Sequence, residues 1–175
     1  MILAFAGRRV DAPGAEPPRF PLANVDLVRT RVRALLQASS ATAIVSSAAC
    51  GADLIALGEA GALGLRRKVV LPFSRDRFRN TSVTDRPGNW GPVYDKILDE
   101  AADVIILEES PDDDAYLAAN RVILEATVAW MNEFHEPGGA VLVWEGKSKV
   151  EQDFTEKFGI EARRKRLEVF EVRTL

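Results

Sequence analysis

The sequence predicts an α/β fold of the doubly wound, Rossmann-like kind: a mainly parallel sheet of about six strands with helices on both faces. Three observations predict it. Apolar runs of strand length alternate with stretches of helical period, as βαβ units require. The middle runs, Val104-Ile105-Ile106-Leu107 and Val141-Leu142-Val143-Trp144, are continuously apolar, as in strands covered from both sides. A chain of 175 residues with 47% hydrophobic content also suits one domain, residues 1–175, that buries its core without disulfides or metals.

Taken in chain order, the expected strands are Ile2 to Ala6, Ala41 to Ser46, Lys68 to Leu71, Asp103 to Leu107, Ala140 to Trp144 and Leu167 to Val172. Val25, Val28, Val32, Leu35 and Leu36 recur three and four apart and mark a core-facing helix from about Ala23 to Gln37. Leu54, Ile55, Leu57 and Leu63 mark a second helix, and Tyr94, Ile97 and Leu98 a third. A long fourth, carried by Leu117, Val122, Leu124, Val128 and Met131, should stop before Pro137-Gly138-Gly139. Phe154 and Phe158, at i and i+4, mark a short fifth. The segments Gly7 to Pro21 and Phe73 to Gly91 are too long and polar for plain connections, and loops of that length usually carry function or mobility.

Charge and composition narrow the functions. Twenty-three basic residues stand against 26 acidic ones, a formal net charge of -3, so no broad basic field would gather genomic DNA or bulk RNA. One cysteine, Cys50, and one histidine, His135, supply neither a disulfide framework nor a zinc-ligand set, and a reducing, cytoplasmic setting fits best. The apolar start ends at Gly7-Arg8-Arg9, too short for a signal core, and no apolar run approaches the roughly 20 residues of a membrane span. The reading includes no metal, no cofactor and no membrane partner.

Open parallel sheets bind ligands beyond the carboxyl ends of their strands, where strand order reverses. Two turns are therefore the place to look. After the first strand come Gly7, Arg8 and Arg9: a glycine that permits close backbone approach and two guanidinium groups suited to phosphate. After the second, the stretch from Ser46 to Asp53 offers small side chains, hydroxyls and Gly51 where a strand hands over to a helix. Such a turn either points its amides at an anion or is small merely for packing, with Ser47 or Asp53 serving the helix start. Arg75, in the long polar loop, either complements an anionic ligand or is solvated, and Asn120, early on the fourth helix, is a further pocket candidate. Cys50 reads as a small buried residue of that turn.

Ala6-Gly7-Arg8, the run from Ser46 to Asp53, and Leu71-Pro72-Phe73 resemble the SLOG superfamily, named for the Smf/DNA-processing protein A and Lonely Guy proteins. That resemblance implies a Rossmann-like fold that binds nucleotides or nucleotide-derived signals. It implies a ligand held by Gly7 and Arg8 on one side and by Ser46, Ser47, Gly51 and Asp53 on the other; Arg9, Cys50, Arg75 and Asn120 complete the candidate ligand-binding set. Ala48 and Ala49 stand where many relatives have glycines. The Lonely Guy signature breaks after Pro137-Gly138-Gly139, where Ala140-Val141-Leu142 reads as a strand entry. The expected function is binding of a phosphate-bearing nucleotide or nucleotide-derived small molecule, as a sensor or ligand-binding module. The alternative is an N-glycosidic-bond hydrolase or transferase acting on a nucleoside monophosphate, with Asp53 or Glu125 stabilising an oxocarbenium-like centre; no catalytic residue is assigned. The resemblance leaves a homodimer open.

Overall fold

The computed structural model describes residues 1–110, 112–148 and 153–175. Six strands form one parallel sheet: β1 (Ile2–Gly7), β2 (Ala43–Ser46), β3 (Arg66–Leu71), β4 (Asp103–Ile106), β5 (Gly138–Trp144) and β6 (Glu168–Arg173). Their order across the sheet is β4-β3-β2-β1-β5-β6. The chain thus winds outward from β1 to β4, returns to lay β5 on the other side of β1, and ends at β6. Strand order reverses between β1 and β5, which fixes the topological switch point there.

Six α-helices connect the strands: α1 (Val25–Ala38), α2 (Ala52–Ala62), α3 (Arg75–Phe78), α4 (Trp90–Glu100), α5 (Asp113–Phe134) and α6 (Phe154–Arg164). Alternation along β1 shows why both faces need cover. Leu3 and Phe5 belong to a core that includes Val28, Val32 and Leu36 of α1, Leu54 of α2 and Tyr94 of α4. Ile2, Ala4 and Ala6 point the other way, into a second core with Ile123 and Leu124 of α5 and Phe158 of α6. This is the doubly wound architecture that composition and periodicity predict and that the SLOG resemblance implies, with every strand pair parallel.

Local chemistry explains the ends of the pocket-forming helices. The Asp112 carboxylate accepts from the Ala115 amide and starts α5, and His135 at φ +55° ends it in a left-handed turn just before β5. Asp153 caps α6 by accepting from the amides of Thr155 and Glu156. The expected loop from Phe73 to Gly91 is more ordered than its polarity implies. Phe78 and Val83 are buried in the first core, and that anchorage shapes the segment into α3 and a π-helical turn over Arg79–Val83 before α4 begins. Among the described residues no helix is long and apolar enough to cross a membrane.

Candidate functional site

The turns after β1 and β2 lock against each other through two glycines. A side chain at Gly7 would stand 2.5 Å from the Ala52 Cβ and 2.6 Å from the Val143 carbonyl, so glycine is what lets α2 and β5 come this close. Gly51 takes φ +94°, and a Cβ there would meet the Arg8 carbonyl and Val10 amide at 2.8 Å. Between them, the Ala52 amide donates to the Arg8 carbonyl at 3.0 Å, while the Arg8 amide donates to Val143 of β5 at 2.9 Å.

A cleft of about 320 Å³ opens between these turns and the first turns of α5 and α6, at the switch point. That volume falls in the range of small-molecule sites. Phe5, Phe78, Tyr116 and Phe154 make apolar wall, and Arg9, Ser47, Asp53 and Asn120 bring polar groups to it. The Tyr116 and Phe154 rings lie 6.1 Å apart, tilted by 31°, and the Tyr116 hydroxyl shares a 3.2 Å hydrogen bond with Ser82.

Asp53 is the unusual group. It is only 8% exposed, yet it faces the cleft from the first turn of α2. Burial disfavours its charged form and pushes its pKa up to about 7, although the Ala49 amide, the charge of Arg9 and the Ser46 hydroxyl each pull it back. The Ala49 amide donates to Asp53 Oδ2 at 3.2 Å. A carboxyl titrating near neutrality in a cleft can accept hydrogen bonds or exchange a proton at physiological pH.

Gly7, Arg9, Ser47, Asp53 and Asn120 are the sequence-predicted residues that line the cleft. Arg9 donates through Nη1 to Asp85 at 3.0 Å and to the Thr81 carbonyl at 3.0 Å, and Asn120 donates through Nδ2 to the Phe154 carbonyl at 3.3 Å. Ser46 and Gly51 lie behind this lining: Ser46 is fully buried beside Asp53, and Gly51 serves the turn. Cys50 is buried in the first core, its thiol pushed up to about 11 by burial, and its amide donates to Ser82 at 3.0 Å. Arg75 is half exposed on α3, 3.9 Å from Asp99, and does not line the cleft.

Arg8 is not among the residues that line the cleft. Its guanidinium, expected at a ligand phosphate, is clamped by protein carboxylates: Nε reaches Glu145 at 2.6 Å, Nη1 and Nη2 reach Asp153 at 2.7 and 2.6 Å, and the group packs 5.6 Å from the centre of the Trp144 ring. Arg19, from the Pro-rich segment, joins the same carboxylates at 2.8 and 2.7 Å. Burial is the largest influence on Glu145 and Asp153 and would raise both, but the hydrogen bonds and charges of Arg8 and Arg19 together with a backbone amide at each outweigh it and hold both below the ordinary carboxylate range. The turn ahead of α2 is also capped from within. Amides expected to face an anion are engaged by Asp53 (Ala49), Ser82 (Cys50) and Arg8 (Ala52).

Tyr116, Phe154 and the Thr81-Ser82 hydroxyls are cleft residues the sequence reading missed. Their signal was topological: α5 and α6 both start at the carboxyl end of the sheet, so their first turns, like that of α2, flank the switch point.

No protein-family model and no curated protein matches the chain. Solved structures do. A DNA processing protein A from Streptococcus pneumoniae is 15% identical with a TM-score of 0.46 over 95% of this chain, which spans 57% of that protein's length. A molybdenum cofactor carrier protein from Chlamydomonas reinhardtii is 17% identical with a TM-score of 0.39, covering 96% of this chain and 88% of its own. A further structure of a carrier protein for that cofactor from the same organism is 15% identical with a TM-score of 0.34, covering 96% and 87%. The chain is similar to these in fold.

Proposed function

We propose that this chain binds a nucleotide or nucleotide-derived small molecule in the cleft at the switch point. The observation that carries the reading is the convergence of Asp53, Ser47, Asn120 and Arg9 on one 320 Å³ space walled by Phe78, Tyr116 and Phe154. Aromatic walls suit a planar heterocycle, the inward polar groups orient it, and Arg9 is the one guanidinium of the lining available to a phosphate after exchanging Asp85. Among the described residues no three His, Cys, Asp or Glu side chains group as metal ligands.

Thermal unfolding in the presence of purine and pyrimidine nucleoside monophosphates tests the reading. A true ligand at 100 times its dissociation constant adds about 2.7 kcal/mol and raises the melting temperature. Tyr116→Ala should abolish that rise while the chain stays folded, and a panel with no stabilising member would overturn the proposal.

A second reading, cleavage of the N-glycosidic bond, is favoured by one observation: Asp53 titrates near neutrality at the cleft wall. Its carboxyl would hand a proton to the departing base while water takes the base's place on the sugar. Chromatography of the same mixtures decides it, because turnover yields free base that Asp53→Asn should eliminate.

A further inference from the structure

The polar groups of the cleft have a bias that the turn sequences do not show. When ionised, Asp53 is acceptor-only, and the Ala49 amide and Ser46 hydroxyl already fix its orientation without filling its capacity. Asn120 gives one N–H of its amide to the Phe154 carbonyl and keeps its carbonyl oxygen as a second acceptor. Arg9, the sole cation of the lining, is occupied by Asp85 and the Thr81 carbonyl. The remaining groups are hydroxyls, which adapt to either role. The one charged acceptor of a lining so furnished is the buried carboxylate of Asp53, and the walls are flat and aromatic. Its best complement is a flat ring bearing adjacent N–H donors.

We infer that Asp53 is a specificity-determining residue that pairs with the edge of a 2-amino-4-oxopyrimidine ring, the chemistry shared by guanine and pterins, through two parallel N–H donors. The inference rests on the cleft reading above and names its ligand class. The physical ground is the match of donor patterns. Guanine presents N1–H and N2–H side by side, both of which an ionised carboxylate accepts in a charge-assisted, two-point contact. Adenine presents an acceptor beside its single donor, so one carboxylate oxygen would face a lone pair. Cytosine has the same mismatch. A carboxylate buried in apolar surroundings penalises such a mismatch far more than an exposed one does, because no water repairs it.

Calorimetric titration of the full chain with guanosine, inosine, adenosine and xanthosine 5′-monophosphates, 2′-deoxyguanosine 5′-monophosphate and neopterin tests the pairing. The expected order is guanosine above inosine above adenosine, with guanosine at least about tenfold tighter than adenosine. The 2′-deoxy compound should bind like its ribo counterpart. Neopterin, which carries the same ring edge without ribose phosphate, separates the two sources: tighter binding than guanosine monophosphate assigns the cleft to pterins. Asp53→Asn provides a gain to look for. It converts one acceptor to a donor, so affinity should move from guanosine to xanthosine monophosphate, whose N2 amino group is replaced by a carbonyl; a misfolded variant would gain nothing. Equal affinity for guanine and adenine nucleotides overturns the inference while leaving the cleft reading intact. Loss of binding only with the 2′-deoxy sugar also overturns it, by placing Asp53 on the ribose. Absence of binding by any nucleotide, with neopterin bound, removes the nucleotide reading and keeps the ring-edge pairing; no binding by any probe removes both.

Discussion

Asp53 and Asp153 sit at the same end of the sheet, both shielded from water, and titrate in opposite directions. Asp153 and its neighbour Glu145 share two guanidinium groups, from Arg8 and Arg19, and stay charged. Asp53 has one amide, one hydroxyl and a more distant Arg9, and is driven up to about 7. Asp53 lies deeper in the protein and has fewer partners, and the two differences push the same way. The contrast separates a closed ionic cluster, complete within the protein, from an acceptor that still has room for an outside donor. Of the two arginines after the first strand, Arg9 lines the cleft and Arg8 is the one the protein uses on itself.

Three experiments would break or sharpen that contrast. The largest effect belongs to Arg8→Ala, which leaves Glu145 and Asp153 buried with only the partly exposed Arg19 and should cost about 3–5 kcal/mol in urea denaturation. A loss under about 1 kcal/mol would mean that water already reaches the cluster.

Next is the pH dependence of Asp53. In the folded chain it keeps its proton to about 7, whereas an unfolded aspartate releases it near 4, so the folded state binds more protons between those values. Stability should therefore fall as pH rises through that window, by up to about 1.4 kcal/mol per pH unit, and Asp53→Asn should remove that slope. Glu145 and Asp153 run the other way: their stabilisation is complete above the usual carboxylate range and disappears as acid protonates them at their lowered folded values. Matched denaturation series from pH 4.5 to 7.5 would separate the two; identical slopes in wild type and variant would show Asp53 to be an ordinary surface-like carboxylate. The smallest effect is Arg19→Ala. With 30% of its side chain exposed, this outer partner should contribute about 1 kcal/mol or less, and a loss matching that of Arg8→Ala would place it inside the cluster.

Much of the fold was legible because the apolar runs are long and the helical stripes regular. Val141 to Trp144 is a strand covered on both faces, and Val28, Val32 and Leu36 are a helix face; Val104 to Leu107 was expected to be covered too, but its strand lies at the sheet's edge, where Ile106 stays 40% exposed. The segment after β3 was not, since the anchors Phe78 and Val83 are isolated among arginines and polar residues and make no period. For the site, topology brought Gly7, Ser47 and Asp53 to the right edge of the sheet. The destination of Arg8 could not be read, because Glu145 and Asp153 lie 137 and 145 positions away and the contact exists only once β5 and α6 are in place. Nor could the roles of Tyr116 and Phe154, whose spacing on their helices is that of core residues. Asp53 looked like a helix-start carboxylate, and it is one; what sequence does not give is how little water it keeps.

Arg8 ties together more of the molecule than any length of chain near it. Its amide holds β5, its carbonyl holds α2, and its side chain holds the first turn of α6 together with the Pro-rich segment through their common carboxylates. Such a hub links local fluctuations: the cleft wall at Phe154 and Thr155 cannot swing out alone without stranding Asp153 from both guanidiniums. Motions that widen the cleft on that side are therefore coupled to disruption of the sheet's own edge of turns, so breathing there belongs to the rare, cooperative openings of the whole layer. The opposite wall, where Arg9 rests on the half-exposed Asp85, is left as the yielding side through which a small molecule would pass.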